Sequence, residues 1–336
     1  MDLKTLTEIN APSGHEQAIR RFLLDELKKL GFAPVLDRMG NVVVVKEGTG
    51  DAPRKRVMVS AHMDEVGLIV TSATEDGYLR IAAAGGIDPR VLVSKRVTVG
   101  EDKLPGVIGA VPIHLQSAAE RKHVLSMDEL LVDIGAKNKD EAERKAPMGT
   151  YISFDTPYVE YGDGFACGKA FDDRVGCLSL LRLLQEELPV DLVACFVSEE
   201  EVGCRGAKGA AFQQEPDIGI VLEGTTCNDL GDVPETAHVC EAGQGVAVSF
   251  MDGASIANRA LFRKALDVAK QENIPHQVKH SVSGGNDGGA IQRAREGVPV
   301  LVLSVPCRYI HSPSSVVKLS DVESQFALVK ALVKAL

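Results

Sequence analysis

The 336-residue sequence lacks several features that would mark it for particular functions. Its seven cysteines are dispersed, and no two form a C-x-x-C pair. Neither a zinc knuckle nor a disulfide framework is expected, and the thiols read as reduced. No run approaches the roughly 18 apolar residues of a membrane helix. The opening stretch, MDLKTLTEINAPSGHEQAIR, has no apolar core of signal-peptide length. A cytoplasmic chain with no membrane partner is the expectation. Basic runs are also missing: 37 Lys and Arg face 47 Asp and Glu, for a net charge of −10. A nucleic-acid partner is therefore not expected. There is no internal repeat and no low-complexity segment.

What is present is the composition of an ordinary folded protein, 45% hydrophobic and 25% charged. Ser13 and Glu16 form an S-x-x-E pattern ahead of Ile19, Phe22, Leu23, Leu27 and Leu30 at helical spacing, with Gly31 as a stop. Apolar strands follow at 41–45 and 56–64. From about residue 164, helices and strands alternate: helices at 174–188, 206–214, 255–273 and 287–295, and strands at 190–198, 218–222, around HQVKHSV, and at 299–306. A last helix opens on a second box, Ser320 to Glu323. This alternation predicts an α/β fold, a mainly parallel sheet sandwiched by helices. Residues 68–163 differ, with short β-like runs between Gly and Pro and only 127–145 looking helical. They are expected to form an inserted, β-rich domain within a host made of 1–67 and 164–336.

Sites in open α/β sheets form beyond the carboxyl ends of strands. The polar residues closing each predicted strand are His62 and Asp64 in SAHMD, Asp172 and Asp173 in GKAFDD, Glu199 to Glu201 in CFVSEEEVG, Glu223 in LEGTTCND, and His311 in RYIHSP. Each has a plain structural alternative: a helix cap for the aspartates, a solvated face for the glutamates, a turn for His311. Their joint fall at strand ends favours a shared site. Two imidazoles with several carboxylates and no cysteine suit a binuclear divalent-metal site, with a free carboxylate as general base.

Five ordered motifs, SAHMDEVG, GKAFDDRVG, SEEEVGCRGA, LEGTTCND and RYIHSP, resemble the M42 family of metallo-aminopeptidases, which includes the tetrahedral aminopeptidases and members named cellulase or endoglucanase. The resemblance covers essentially the whole chain. It implies two divalent ions (Zn, Co or Mn) held by His62, Asp172, Glu201, Glu223 and His311, with Asp172 bridging. It also implies Glu200 as general base and Asp64 orienting the His62 imidazole. Glu223 stands where the family commonly has aspartate, which leaves the bite geometry open. Short peptides are the implied substrates. The insertion is expected to mediate a homo-oligomer, a dodecamer before a dimer. The stretch SGGNDGGAI resembles a family segment near the active site; by itself it is a glycine-rich turn capped by Asp287. The competing readings are a binuclear carboxypeptidase or deacylase, a metal-independent glycosidase, and a catalytically silent scaffold. The carboxypeptidase reading needs a cationic clamp for which the sequence offers no obvious candidate.

Overall fold

The computed structural model describes residues 2–336. An 11-stranded sheet forms the larger body, and a closed six-stranded barrel forms the smaller one. At the centre of the large sheet four strands run parallel. Asp191–Val197 pairs with Arg56–His62, whose other edge pairs with Ile218–Thr226, which in turn pairs with Val300–Arg308. Side chains alternate between the two faces of such strands. Val57, Val59, Leu192, Ile220 and Leu301 pack toward the helices Phe171–Leu183 and Leu319–Lys334. Met58, Val193, Cys195, Val221 and Val302 pack toward Ala207, Ala210, Ala290 and Ile291 of the helices Arg205–Gln214 and Asp287–Gln292. Burial on both faces explains why these strands read as continuous Val, Ile and Leu runs.

The sheet is mixed rather than mainly parallel. Val42–Lys46 pairs antiparallel with Asp191–Val197, and Val300–Arg308 pairs antiparallel with Ser315–Lys318. Phe165–Gly168 then adds to Ser315–Lys318, also antiparallel. The helix–strand alternation reports only connections long enough to hold a crossover helix. Short turns between antiparallel neighbours leave no such mark.

The barrel strands run from Gly67 to Phe154, and Leu68, Leu79, Val97, Ile108, Val132 and Ile152 fill a core of their own. Closure pairs every strand on both edges. The expected helix over 127–145 is not one element. A 3-10 turn at Met127–Glu129 leads to the strand Leu131–Asp133, and only Lys139–Lys145 is α-helical. Gly135, with φ +66°, breaks the run between them.

Both expected capping boxes are absent. The first long helix is Gln17–Lys29; its N-cap, Glu16, makes no side-chain cap bond, and its carboxylate accepts from the Gly14 amide at 2.7 Å. Ser13 instead donates to Asp64 at 2.6 Å. In the last helix Ser320 lies inside the first turn, and Glu323 reaches across to Arg182 at 2.8 Å. Tertiary partners took the side chains that a local box would have used.

The parallel strands all end at one rim. Arg56–His62, first in the chain, lies between its two successors, so the chain moves from it to one side, Asp191–Val197, and then crosses back to the other, Ile218–Thr226. That switch point opens a crevice beyond the carboxyl ends.

Candidate metal centre

His62 is the last residue of its strand and is almost fully buried. Its Nε2 lies 3.3 Å from Asp172 Oδ1 and 3.6 Å from Glu223 Oε2. Its Nδ1 faces the backbone oxygen of Asp64 at 3.1 Å and that residue's carboxylate at 3.5 Å. The main-chain carbonyl is therefore the nearer anchor of the ring. The Asp64 carboxylate has other partners: it accepts from Ser13 Oγ and from the backbone amides of Glu200 and Glu201, at 3.1 and 3.2 Å. It thereby fixes the turn that presents the glutamate pair.

That turn follows the strand Asp191–Val197. Glu199 adopts φ +56°, and Gly203 adopts φ +118°, a backbone region that side chains avoid. Glu199 points outward to Arg205 at 3.4 Å, while Glu201 is turned inward to His311 Nε2 at 3.3 Å. His311, on the loop after Val300–Arg308, also lies 3.5 Å from Asp172 Oδ2. The two oxygens of Asp172 thus face two different imidazoles. Asp172 approaches this closely because Gly224 has no side chain there: an added Cβ would sit 3.0 Å from Asp172 Oδ1, which accepts the Gly224 amide at 3.1 Å.

Asp173 is adjacent, and its ligand atoms are close enough to His62 and Glu223 to join a cation. Its oxygens are already engaged, however, accepting from the His62 amide at 3.2 Å and the Gly176 amide at 3.0 Å. It straps the strand end to the helix start with both oxygens held by amides, whereas Asp172 has an amide donor on Oδ1 alone and turns each oxygen to an imidazole.

The electrostatics are those of a site short of positive charge. Burial pushes the Glu223 and Glu201 carboxyls up to about 8 and that of Glu200 to about 7, with the neighbouring carboxylates adding to the shift. Burial also opposes charge on His62 and His311, yet the facing carboxylates outweigh it. His62 is held well above its ordinary value, and His311 at about 9. Asp172, between the two imidazoles, is lowered despite its burial. Glu223 Oε1 is buried with no hydrogen-bond partner, a costly state unless a cation or water joins it. Nitrogen and oxygen donors in this number fit divalent ions of the zinc, cobalt and manganese type.

The seven residues to which the resemblance gave roles gather at this rim, and Asp172, Glu200, Glu223 and His311 border a cleft of about 360 Å³. Asp88 and Gly86 of the barrel segment close one side, and Ser283 to Asn286 another. Larger hollows, of about 580 and 560 Å³, lie where the Gln17–Lys29 helix meets the barrel and gather no such donor cluster.

Two residues, Lys279 and Cys204, escaped the sequence reading, and a third, Asp287, was given the wrong part there. Lys279 is the one Lys or Arg bordering the cleft, is only 8% exposed, and follows a short strand. No sequence motif marked it. Asp287 is not the cap of its helix; Asn286 is, accepting from Gly288 N. Asp287 is fully buried, and neither of its carboxylate oxygens has a partner. Cys204 donates its thiol proton to Glu200 Oε1 at 3.3 Å. A polar residue inside a Gly-rich stretch was the one available signal for Asp287.

The family model for M42 glutamyl aminopeptidases matches residues 40–328. The lysyl aminopeptidase of Pyrococcus furiosus is 33% identical, over 99% of this chain and 96% of its own. The glutamyl aminopeptidase of Lactococcus lactis is also 33% identical, over 99% and 95%. Among solved structures, the Pyrococcus horikoshii TET1 peptidase, described as assembling into a tetrahedron or a large octahedral shell, superposes with a TM-score of 0.87 at 33% identity, over 99% of this chain and 98% of its own. The same fold and near-complete coverage place the chain in the M42 aminopeptidase family, and it is a peptide-bond hydrolase.

Proposed function

We propose that this protein removes N-terminal residues from short peptides, with two divalent ions held by His62, Asp172 and Glu223 on one side and by His311, Asp172 and Glu201 on the other. The observation that carries this reading is the pair of Asp172 contacts, Oδ1 to His62 at 3.3 Å and Oδ2 to His311 at 3.5 Å. When bound, such a pair of ions polarises a scissile carbonyl and makes water acidic enough to be deprotonated near neutral pH.

Glu200 borders the cleft without facing either imidazole at ligand distance, so it is the carboxylate left to act as base. Its Oε1 is engaged by Cys204, and the other oxygen takes the proton of the attacking water and returns it to the leaving amine. Burial, with the neighbouring carboxylates, raises this carboxyl, which favours its taking up a proton. Asp64 positions: its backbone oxygen orients His62, and its carboxylate holds the turn carrying Glu200 and Glu201.

The acidic rim attracts a free α-amine. Lys279 then has an acidic side chain of the N-terminal residue as its natural partner, in keeping with the family description and the Lactococcus relative's name. The shell-like assembly of the TET1 peptidase, and the dodecamer described for a PhTET1 structure, support a homo-oligomer here, a dodecamer before a dimer. The segment between barrel strands Leu104–Gly109 and Leu131–Asp133 exposes Val111, Ile113 and Leu115 by 62, 68 and 70%, an apolar surface suited to a second copy.

Assay of one short peptide with a free or an acetylated N-terminus tests the activity. Hydrolysis of the free form alone is expected. Equal or preferred cleavage of the blocked form would mean a deacylase or carboxypeptidase, with Lys279 clamping a terminal carboxylate. Peptide cleavage unaffected by chelation would reject the two-metal mechanism.

A further inference from the structure

We propose that Glu200, Cys204 and Asp287 form a third metal site, suited to thiophilic divalent ions such as zinc or cadmium, whose occupation takes Glu200 out of service. Each residue offers one donor atom, and the three donors lie within 4.8 Å of one another. A tetrahedral ion with bonds of about 2.0–2.3 Å to oxygen and sulfur holds its ligands roughly 3.3–3.6 Å apart. A small side-chain adjustment closes the difference.

Asp287 is what makes this more than a thiol beside an acid. The other fully buried aspartates of the described residues are well supplied: Asp64 accepts three hydrogen bonds, and Asp173 and Asp321 accept two each. Asp287 is equally buried and accepts none. Burial and the nearby Glu200 and Glu223 push its carboxyl well up, and burial with Asp287 and Glu200 raises the Cys204 thiol. Three acids face one another, and no Lys, Arg or His is among them. The neighbouring Asn286 borders the cleft, so an ion has a route inward. Sulfur in the set separates this site from the nitrogen and oxygen donors around Asp172, and it favours zinc or cadmium over manganese.

On binding, the Cys204 thiol and the protonated carboxyls of Asp287 and Glu200 give their protons to solvent, and the sulfur–metal and oxygen–metal bonds form; Glu200 exchanges the thiol hydrogen bond for a metal bond. A metal-bound Glu200 cannot accept a proton. Excess zinc therefore inhibits, and this consequence rests on Glu200 being the base; the binding itself does not.

The test uses the enzyme carrying its resident metals, titrated with zinc and, separately, cadmium chloride. A third equivalent per chain is expected, with a cadmium–thiolate charge-transfer absorption and at least a tenfold loss of turnover reversed by brief dialysis. Cys204→Ser should abolish the absorption and raise the inhibitory zinc concentration at least tenfold, each variant compared with its own uninhibited rate. Asp287→Asn should weaken the third equivalent likewise. Two equivalents only, or a cadmium–thiolate absorption that survives in Cys204→Ser, would overturn the proposal. A third equivalent lost in Cys204→Ser, without inhibition in the wild type, would keep the site and reject Glu200 as base.

Discussion

At the scale of single residues, the three adjacent glutamates divide by direction. The turn sends Glu199 to solvent and Arg205, Glu200 to the cleft, and Glu201 to His311. Glu200→Gln is expected to keep its metals and lose roughly 10²–10⁴-fold in turnover. Glu201→Gln should lose metal, and Glu199→Gln should change turnover less than twofold. An inactive Glu199→Gln with an active Glu200→Gln would reverse the assignment. Lys279→Glu tests the cleft's other charge. A hydrogen bond to a charged group contributes about 1.5–3 kcal/mol, so the preference for glutamyl over leucyl substrates should fall by roughly ten- to a hundredfold in kcat/KM. An unchanged ratio would remove Lys279 from substrate recognition. Acidity gives a third expectation, for the metal-free protein. Glu201 and Glu223 at about 8, and His311 at about 9, bind protons more tightly folded than unfolded. Their stabilisation is complete at low pH and is lost as pH rises through these values. The Asp172 shift has the opposite sign but acts only near and below the ordinary aspartate range. Thermal melts with chelator should therefore show the midpoint falling between about pH 5 and pH 8, and metal should restore it. A midpoint that rises over that window would contradict the assignment. The sequence made the strand-end residues legible because their types recur at one structural place. Lys279, Cys204 and Asp287 were not legible, because their meaning depends on what faces them across the fold.

At the scale of elements, the centre is held by a residue no motif announced. Gln325 of the helix Leu319–Lys334 is fully buried. Its Nε2 donates to the backbone oxygens of Glu223 and Leu303, at 3.1 and 2.9 Å, and its Oε1 accepts from Ser179 at 3.0 Å. One side chain joins two parallel strands, one of which carries Glu223, to two helices. Gln325→Ala strands these groups and leaves a void, at an expected cost of about 2–4 kcal/mol in denaturant unfolding. A change within about 0.5 kcal/mol would show that water replaces it without loss. Helix and strand periodicity was readable wherever an element packs on the core, as in Arg56–His62 and Val300–Arg308. It failed where local pattern and tertiary partner compete. Ser13 and Glu323 matched a capping pattern but were taken by Asp64 and Arg182. The acidic and basic stretch at 127–145 looked helical but supplies the barrel strand Leu131–Asp133, because its Val132 is needed in that core.

At the scale of the whole molecule, the host sheet supplies a rigid rim and the barrel supplies one wall of the cleft through Gly86 and Asp88. Light scattering should give a mass of several chains, and polar replacement of Ile113 and Leu115 together should shift it toward smaller species. A stable, fully active monomer would reject the homo-oligomer. The α/β alternation was legible because crossover helices repeat along the chain, whereas assembly depends on surfaces whose partner lies outside it. The central claim is that Asp172 serves two metals at once. Its most direct test is the metal content per chain of the purified protein and of Asp172→Ala. The account predicts two divalent ions in the wild type, with activity lost on chelation and regained on reloading, and less than one ion in the variant. Two ions retained by Asp172→Ala, or a fully active wild type without metal, would contradict it.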